Sequence, residues 1–167
     1  RAPSFSTTLR SMWASSSSLR KRKVLVKAMA QVPEVYVLGG YQTDFARNWS
    51  KEKKHFVAMR REAVLGALAE TKVEPNEIEV AHTGNFAAEL YSKQGHLGAF
   101  FLEIDPAFSG LPTSRHEAAC ASGSLAIQAA SAEIEAHRYD LACVVGVEQM
   151  KTVGAGEGGD FLGTAAW

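Results

Sequence analysis

Short apolar runs alternate with stretches of helical spacing along this chain, and that alternation is the feature that most constrains its fold. Runs that predict strands occupy residues 34–40, 78–83, 111–119 and 141–147. Stretches whose apolar spacing predicts helices occupy residues 55–72, 95–104 and 121–137. Strands and helices in the order βαβαβαβ indicate an α/β fold with right-handed crossovers. We therefore expect a parallel sheet with helices packed on it, and 167 residues are enough for one such domain with a core.

Three of these segments carry further expectations about burial. Residues 34–40 end in a pair of glycines and predict a buried first strand. The continuous apolar run at 141–147 is typical of a central parallel strand, which is covered on both faces. Alanine dominates residues 121–137, so we expect that helix to be buried between two layers.

The charge of the chain is unevenly distributed and divides it into two regions. Residues 1–30 hold seven basic residues and no acidic one, and they include the run Ser15–Ser18. This composition is typical of a mitochondrial or plastid transit peptide, although a disordered basic tail has the same composition. We therefore predict a basic arm at 1–30, a folded domain at 31–167 and a location in the mitochondrial matrix, with the plastid or peroxisome as alternatives.

The rest of the composition excludes several classes of function. After residue 30 the chain carries 11 basic and all 18 acidic residues, a net charge of −7, which disfavours nucleic acid as a partner. Two cysteines without paired spacing cannot form a disulfide framework, which favours a reducing compartment. No apolar run approaches the length of about 18–20 residues that spans a bilayer.

Cys120 is the strongest candidate for a chemical role. It lies in the run His-Glu-Ala-Ala-Cys-Ala-Ser-Gly-Ser at 116–124, where a predicted strand gives way to a predicted helix. The amides and the dipole at a helix start stabilise a thiolate, which is the nucleophilic form of cysteine. The pattern therefore favours covalent acyl chemistry at Cys120, against the alternative of a buried structural cysteine.

Three segments resemble the N-terminal half of thiolases, the acyl-CoA acyltransferases, and in particular the sterol-carrier-protein-type branch. They are Val-Tyr-Val-Leu-Gly-Gly at 35–40, Glu-Ala-Ala-Cys-Ala-Ser-Gly-Ser at 117–124 and the strand and turn at 140–150, which ends Gly-Val-Glu-Gln-Met. The resemblance implies that Cys120 accepts an acyl group from acyl-CoA as a thioester while its amide helps to form an oxyanion hole. It also implies 3-ketoacyl-CoA thiolysis or Claisen condensation, and a homodimer in which the strand before the nucleophile pairs across the two-fold.

The resemblance also implies that part of an active site is missing. In thiolases the catalytic base, a second oxyanion hole and a second cysteine belong to a second half that this chain does not contain. Two hypotheses remain open. The chain is either the nucleophile-bearing part of an acyltransferase completed by other residues, or a non-catalytic accessory subunit of a larger mitochondrial assembly. We expect protein partners in both cases, no metal and no cofactor, with a coenzyme A thioester as substrate if the chain is active.

Other residues have weaker signals. Asn85, Glu148 and Met150 follow predicted strands and are candidate substrate-binding residues, with turn formation and packing as the alternatives. Cys143 lies in an apolar strand and is expected to be an inert core residue. The histidines show no metal-ligand spacing, and we expect His116 to lie at a surface or an interface.

The glycines at 154, 156 and 159 match a dinucleotide-binding pattern, but too few residues follow for the required helix and strand, so we expect a flexible loop.

Overall fold

The computed structural model describes residues 33–166, and the predicted basic arm at 1–30 lies outside that range. Described residues from Glu34 onward form one compact unit. Its α-helices and strands in chain order are α1 (Phe56–Thr71), β1 (Val80–Gly84), α2 (Ala88–Tyr91), β2 (Thr113–His116), α3 (Ser122–Glu135), β3 (Ala142–Gly146) and α4 (Ala155–Gly163). Short 3₁₀ turns connect several of them, including Leu97–Phe101 where a short helix was predicted and Ala119–Ala121 just before α3.

The strands confirm the α/β class. They form a parallel sheet in the order β2-β1-β3, and Gly84 at the carboxyl end of β1 aligns with His116 of β2 and Gly146 of β3. The prediction of a central strand near 141–147 is wrong for this sheet, since β3 lies at its edge and β1 is the central strand of the described residues.

The prediction of a buried strand at 34–40 is also wrong. These residues are extended, but they pair with none of the three strands, and Val37 is 89% exposed. An apolar run becomes a strand only when its backbone groups find partners, and this segment forms no backbone hydrogen bond with the other described residues. The segment reaches α1 instead, where the ring of Tyr41 lies against Gly66.

Helices cover the two faces of β1. On one face Val64 and Leu68 of α1 pack with Ala81 and Val145 in the main apolar core. On the same face the fully buried Arg60 of α1 donates to Thr83 Oγ1 at 2.7 Å and to the Leu97 carbonyl. Burial lowers the pKa of Arg60 to about 10.

The second face of the sheet carries α3, which approaches β1 very closely. A Cβ atom on Gly84 would lie 2.7 Å from the Gly123 Cα, so only glycine fits at this contact. Ala126 and Ala130 of α3 are buried, but Ile127 is 54% exposed. The expectation that this helix is buried between two layers is therefore wrong for the described residues, because only one of its faces is covered.

An apolar groove runs along the outer edge of β3, and we call it the β3 groove. It encloses about 500 Å³, and its walls are residues 34–41, one side of α1, one side of α3 and residues 140–146. Leu141 and Val147 form backbone hydrogen bonds with the β1 side. Since backbone groups alternate in direction along a strand, the N–H and C=O groups of Ala142, Val144 and Gly146 point into the groove.

The glycine-rich segment after β3 is helical, so the prediction of a flexible loop there is wrong. Gly156 and Gly159 lie within α4. The helix is held by α2, because Tyr91 donates its hydroxyl to the Gly158 carbonyl at 2.8 Å and packs edge-on against Phe161. These contacts override the low helix propensity of glycine.

Candidate functional site

The carboxyl ends of the three strands bring the sequence-predicted site residues to one edge of the sheet. Asn85 follows β1, Cys120 follows β2, and Glu148 and Met150 follow β3. The register aligns the last residues of these strands, so the three loops begin side by side. Ligand sites of parallel α/β sheets lie at this edge.

Cys120 is held in a tight turn between β2 and α3. After Ala118 the chain passes through Ala119, whose φ of 49° is left-handed, and then through the 3₁₀ turn into α3. The Ala119 amide donates to the Glu117 carboxylate at 2.6 Å. Ser122 Oγ accepts from the Ala118 amide at 2.9 Å and donates to the Ala119 carbonyl at 2.7 Å. Cys120 therefore lies at the head of a 14-residue helix, as the sequence predicts.

The two cysteines differ in exposure. Cys120 is a free, exposed thiol, and its amide N–H donates no hydrogen bond to any residue within 33–166. Cys143 is half-buried on β3, and burial raises its pKa to about 11. An exposed thiol beside an unused amide is available to a substrate carbonyl, whereas the thiol of Cys143 is held in its neutral form.

Asn85 and Glu148 tie the loops after β1 and β3 together. Asn85 is 3% exposed, and its side chain donates to the Val147 carbonyl at 2.7 Å. Glu148 Oε2 accepts from the Phe86 amide at 2.9 Å and the Ala87 amide at 3.2 Å. Glu148 Oε1 is buried and has no hydrogen-bond partner among the described residues. Both side chains therefore shape the edge at which Cys120 lies.

Met150 differs from these two residues in being 39% exposed. It follows the same loop as Glu148 and makes no polar contact that fixes its position. Its place at the carboxyl edge is thus compatible with the predicted pocket role and with a surface position.

Sequence reasoning missed a cluster of polar side chains between the sheet and α3. His82 Nδ1 lies 2.8 Å from Ser114 Oγ and 2.9 Å from His116 Nε2, and His82 Nε2 lies 3.2 Å from the Glu133 carboxylate. His116 is half-buried here, so it is not a fully exposed surface residue, and the alternative of a position at an interface stays a prediction. Burial and the neighbouring His82 lower the pKa of His116, and Glu133 opposes that shift. Strand register brings His82 and His116 together, and it is not visible in residue spacing alone.

The described residues contain no group of three or more His, Cys, Asp or Glu side chains arranged to hold a metal ion. In the His82 cluster the carboxylate of Glu133 bonds to the ring nitrogen opposite the one that meets Ser114. The polar atoms of this cluster therefore pair with one another across the contact between the sheet and α3.

Comparison with known proteins settles the family. Residues 35–161 match the family described as thiolase, N-terminal domain. The chain belongs to the thiolase family. The match begins with the exposed segment beside the β3 groove and ends within α4, so it covers every strand of the sheet and the turn that holds Cys120.

Two curated thiolase-family relatives are acetyl-CoA acetyltransferases from archaea. The enzyme of Methanothermobacter thermautotrophicus is 33% identical over 120 residues, and that of Methanocaldococcus jannaschii is 31% identical over 120 residues. Each alignment covers 72% of this chain and 30% of the relative. The chain thus spans less than a third of the length of these enzymes.

Among residues 33–166, no helix of this thiolase-family chain combines the length and the apolar character that crossing a bilayer requires.

Proposed function

We propose that this chain is the nucleophile-bearing part of a thiolase-type acyltransferase, in which Cys120 accepts an acyl group from acyl-CoA. The observation that carries the proposal is the exposed Cys120 thiol at the head of α3, next to an amide without an acceptor. The two archaeal relatives carry names that describe transfer of an acetyl group from acetyl-CoA.

The proposed step is the attack of the Cys120 thiolate on the carbonyl carbon of the coenzyme A thioester. A sulfur–carbon bond forms, and the carbonyl oxygen becomes an oxyanion to which the Cys120 amide can donate. Collapse of this intermediate breaks the bond to the coenzyme A sulfur, which leaves as a thiolate and takes up a proton. The product is an acyl thioester on Cys120, ready for thiolysis or for Claisen condensation.

The full cycle requires a base that takes the proton of Cys120, and we propose that another part of the polypeptide or another chain supplies it. No histidine of the described residues contacts Cys120, and His116 is bound in the cluster with His82 and Ser114. The β3 groove supports the proposal, because its unpaired backbone groups and apolar walls need a further segment to cover them.

Three finer proposals rest on the resemblance or on composition. Asn85, Glu148 and Met150 contribute to the substrate pocket, and the orphaned Glu148 Oε1 is free to accept a hydrogen bond from a bound molecule or an added segment. The chain pairs with a second copy or joins a larger complex. Residues 1–30 direct it to the mitochondrial matrix, a proposal supported by their basic, acid-free composition.

The test is incubation of the 167-residue chain with radiolabelled acetyl-CoA, followed by mass spectrometry of the labelled peptide. We expect one acetyl group on Cys120, lost on treatment with hydroxylamine, which cleaves thioesters. Cys120→Ser is expected to take no label, whereas Cys143→Ser, the matched control, keeps it. The wild type is tested alone and after addition of a cell extract that can supply a completing partner. Absence of label under both conditions contradicts the proposal and favours a non-catalytic role.

A further inference from the structure

We infer that Ser122 and Glu117 are positioning residues that hold Ala119 in its left-handed conformation and thereby fix Cys120 at the head of α3. Neither residue has a role assigned by the sequence patterns or by the comparisons. Where it concerns acyl transfer, the inference rests on the proposed function. Where it concerns the geometry of the turn, it does not.

The first observation is the conformation of Ala119. Its φ is 49°, in a region that residues with a Cβ atom rarely adopt. Such a conformation persists only where surrounding contacts enforce it, and it directly precedes the proposed nucleophile. If Ala119 relaxed to a right-handed conformation, the direction of the Cys120 amide and side chain would change.

The second observation is that side chains hold both backbone groups of Ala119. Its N–H donates to Glu117 Oε1 at 2.6 Å, and its C=O accepts from Ser122 Oγ at 2.7 Å. The Ser122 hydroxyl also accepts from the Ala118 N–H at 2.9 Å, so one oxygen atom links both peptide units around the turn. At 5% exposure, Ser122 has little access to water that could replace these bonds.

The third observation is a contrast within the same helix. Ser124 lies one residue beyond Gly123, is exposed, and makes no side-chain hydrogen bond among the described residues. Removal of its hydroxyl leaves the turn intact, whereas removal of the Ser122 hydroxyl leaves the Ala118 N–H without its acceptor and the Ala119 C=O with only the Ser122 backbone N–H as a donor. Replacing Ser122 by alanine changes both the turn and the composition of α3, whereas replacing Ser124 changes the composition alone. The difference between the two variants therefore measures the effect on the turn.

The experiment compares Ser122→Ala with Ser124→Ala in the full chain by amide hydrogen exchange of the peptide spanning 117–124. We expect exchange in Ser122→Ala to be roughly tenfold faster or more, and exchange in Ser124→Ala to match the wild type. Equal exchange in the two variants overturns the inference, whatever the activity.

A second readout tests the consequence for Cys120. Labelling by acetyl-CoA is expected to fall by about tenfold or more in Ser122→Ala, because small misplacements of a reacting group slow a reaction strongly. Alkylation by iodoacetamide, which needs only an exposed thiol, is expected to change little. If the labelling rate and the alkylation rate fall together, or if neither falls, the positioning role of Ser122 is contradicted.

Glu117 provides a second pair of variants if Ser122→Ala fails to fold, since Glu117 is exposed. Glu117→Gln keeps an oxygen acceptor for the Ala119 amide and is expected to retain slow exchange, whereas Glu117→Ala loses the acceptor. If the wild type takes no acetyl label, the proposed function fails, and the exchange rates of these variants still decide the inference.

Discussion

The two edges of the sheet are both open, but their surroundings differ. Beside β2, the side chains of Ser114, Arg115 and His116 are all hydrogen-bonded. Ser114 and His116 contact His82 of β1, and Arg115 donates to the Phe86 carbonyl and to the Glu89 carboxylate of α2. Beside β3, the β3 groove is lined by apolar side chains, and the facing segment 34–41 has no backbone partner among the described residues. We call the first region the nucleophile side, after the role proposed for Cys120, and the second the groove side.

The difference shows which region of the described residues is held in place by its own hydrogen bonds and which region is not. Hydrogen bonds within the chain fix the nucleophile side. On the groove side there is space for a further strand beside β3, but no described segment pairs with β3 there. Edge backbone groups that face an apolar groove are poorly satisfied, so they favour pairing with an added segment.

The largest effect that separates the two sides is expected at a pair of aligned glycines. Gly84→Ala places a methyl group against the backbone of Gly123, and overpacking of this kind costs about 2–3 kcal/mol of unfolding free energy. Gly146→Ala is the control, because Gly146 aligns with Gly84 but has open space around it, and a change within about 1 kcal/mol is expected there. Urea unfolding of both variants measures the difference, and equal costs would contradict the contrast.

A second comparison removes a polar side chain from one side and an apolar one from the other. His82→Ala leaves Ser114, His116 and Glu133 without their shared partner, which is expected to cost about 1–3 kcal/mol. Val37→Ser changes a side chain that is 89% exposed and is expected to stay within about 0.5 kcal/mol. Thermal unfolding of the two variants tests this order, and a larger loss in Val37→Ser would show that the groove side is already packed.

The smallest effect is a dependence of stability on pH that arises on the nucleophile side. Burial and His82 lower the pKa of His116 in the folded chain, so the unfolded chain binds a proton at higher pH than the folded chain does. The stability that neutral His116 contributes is therefore complete above about pH 6.5, the ordinary pKa of histidine, and is lost as the pH falls from there through the lower pKa of the folded chain. Unfolding free energies measured between neutral and mildly acid pH should fall less steeply in His116→Asn than in the wild type. An unchanged slope in that variant would remove His116 as the cause.

Sequence reasoning succeeded where local spacing decides the structure. Helix α1 was predicted at 55–72 and is found at Phe56–Thr71, because Phe56, Val64 and Leu68 form its buried stripe. The prediction that Cys120 precedes a helix start is confirmed for the same reason, since small residues follow it at helical positions.

Sequence reasoning failed where distant partners decide the structure. The run at 34–40 has the composition of a strand, but pairing depends on distant backbone groups, and the segment forms no backbone hydrogen bond with the other described residues. Helix α4 forms on glycines because Tyr91 holds it, and that contact joins residues far apart in sequence. The bonds of Ser122 to the Ala119 turn were missed because they depend on a left-handed alanine that composition does not reveal.

Amide hydrogen exchange of the full chain tests the central claim, that the nucleophile side is complete and the groove side is not. The account predicts slow exchange for β1, which is paired on both sides, and for the hydrogen-bonded Ala118 and Ala119 amides of the turn. It predicts exchange close to that of an unstructured peptide for residues 34–41. Protection of residues 34–41 equal to that of β1 in the isolated chain would contradict the account, because it would mean that this segment already has backbone partners.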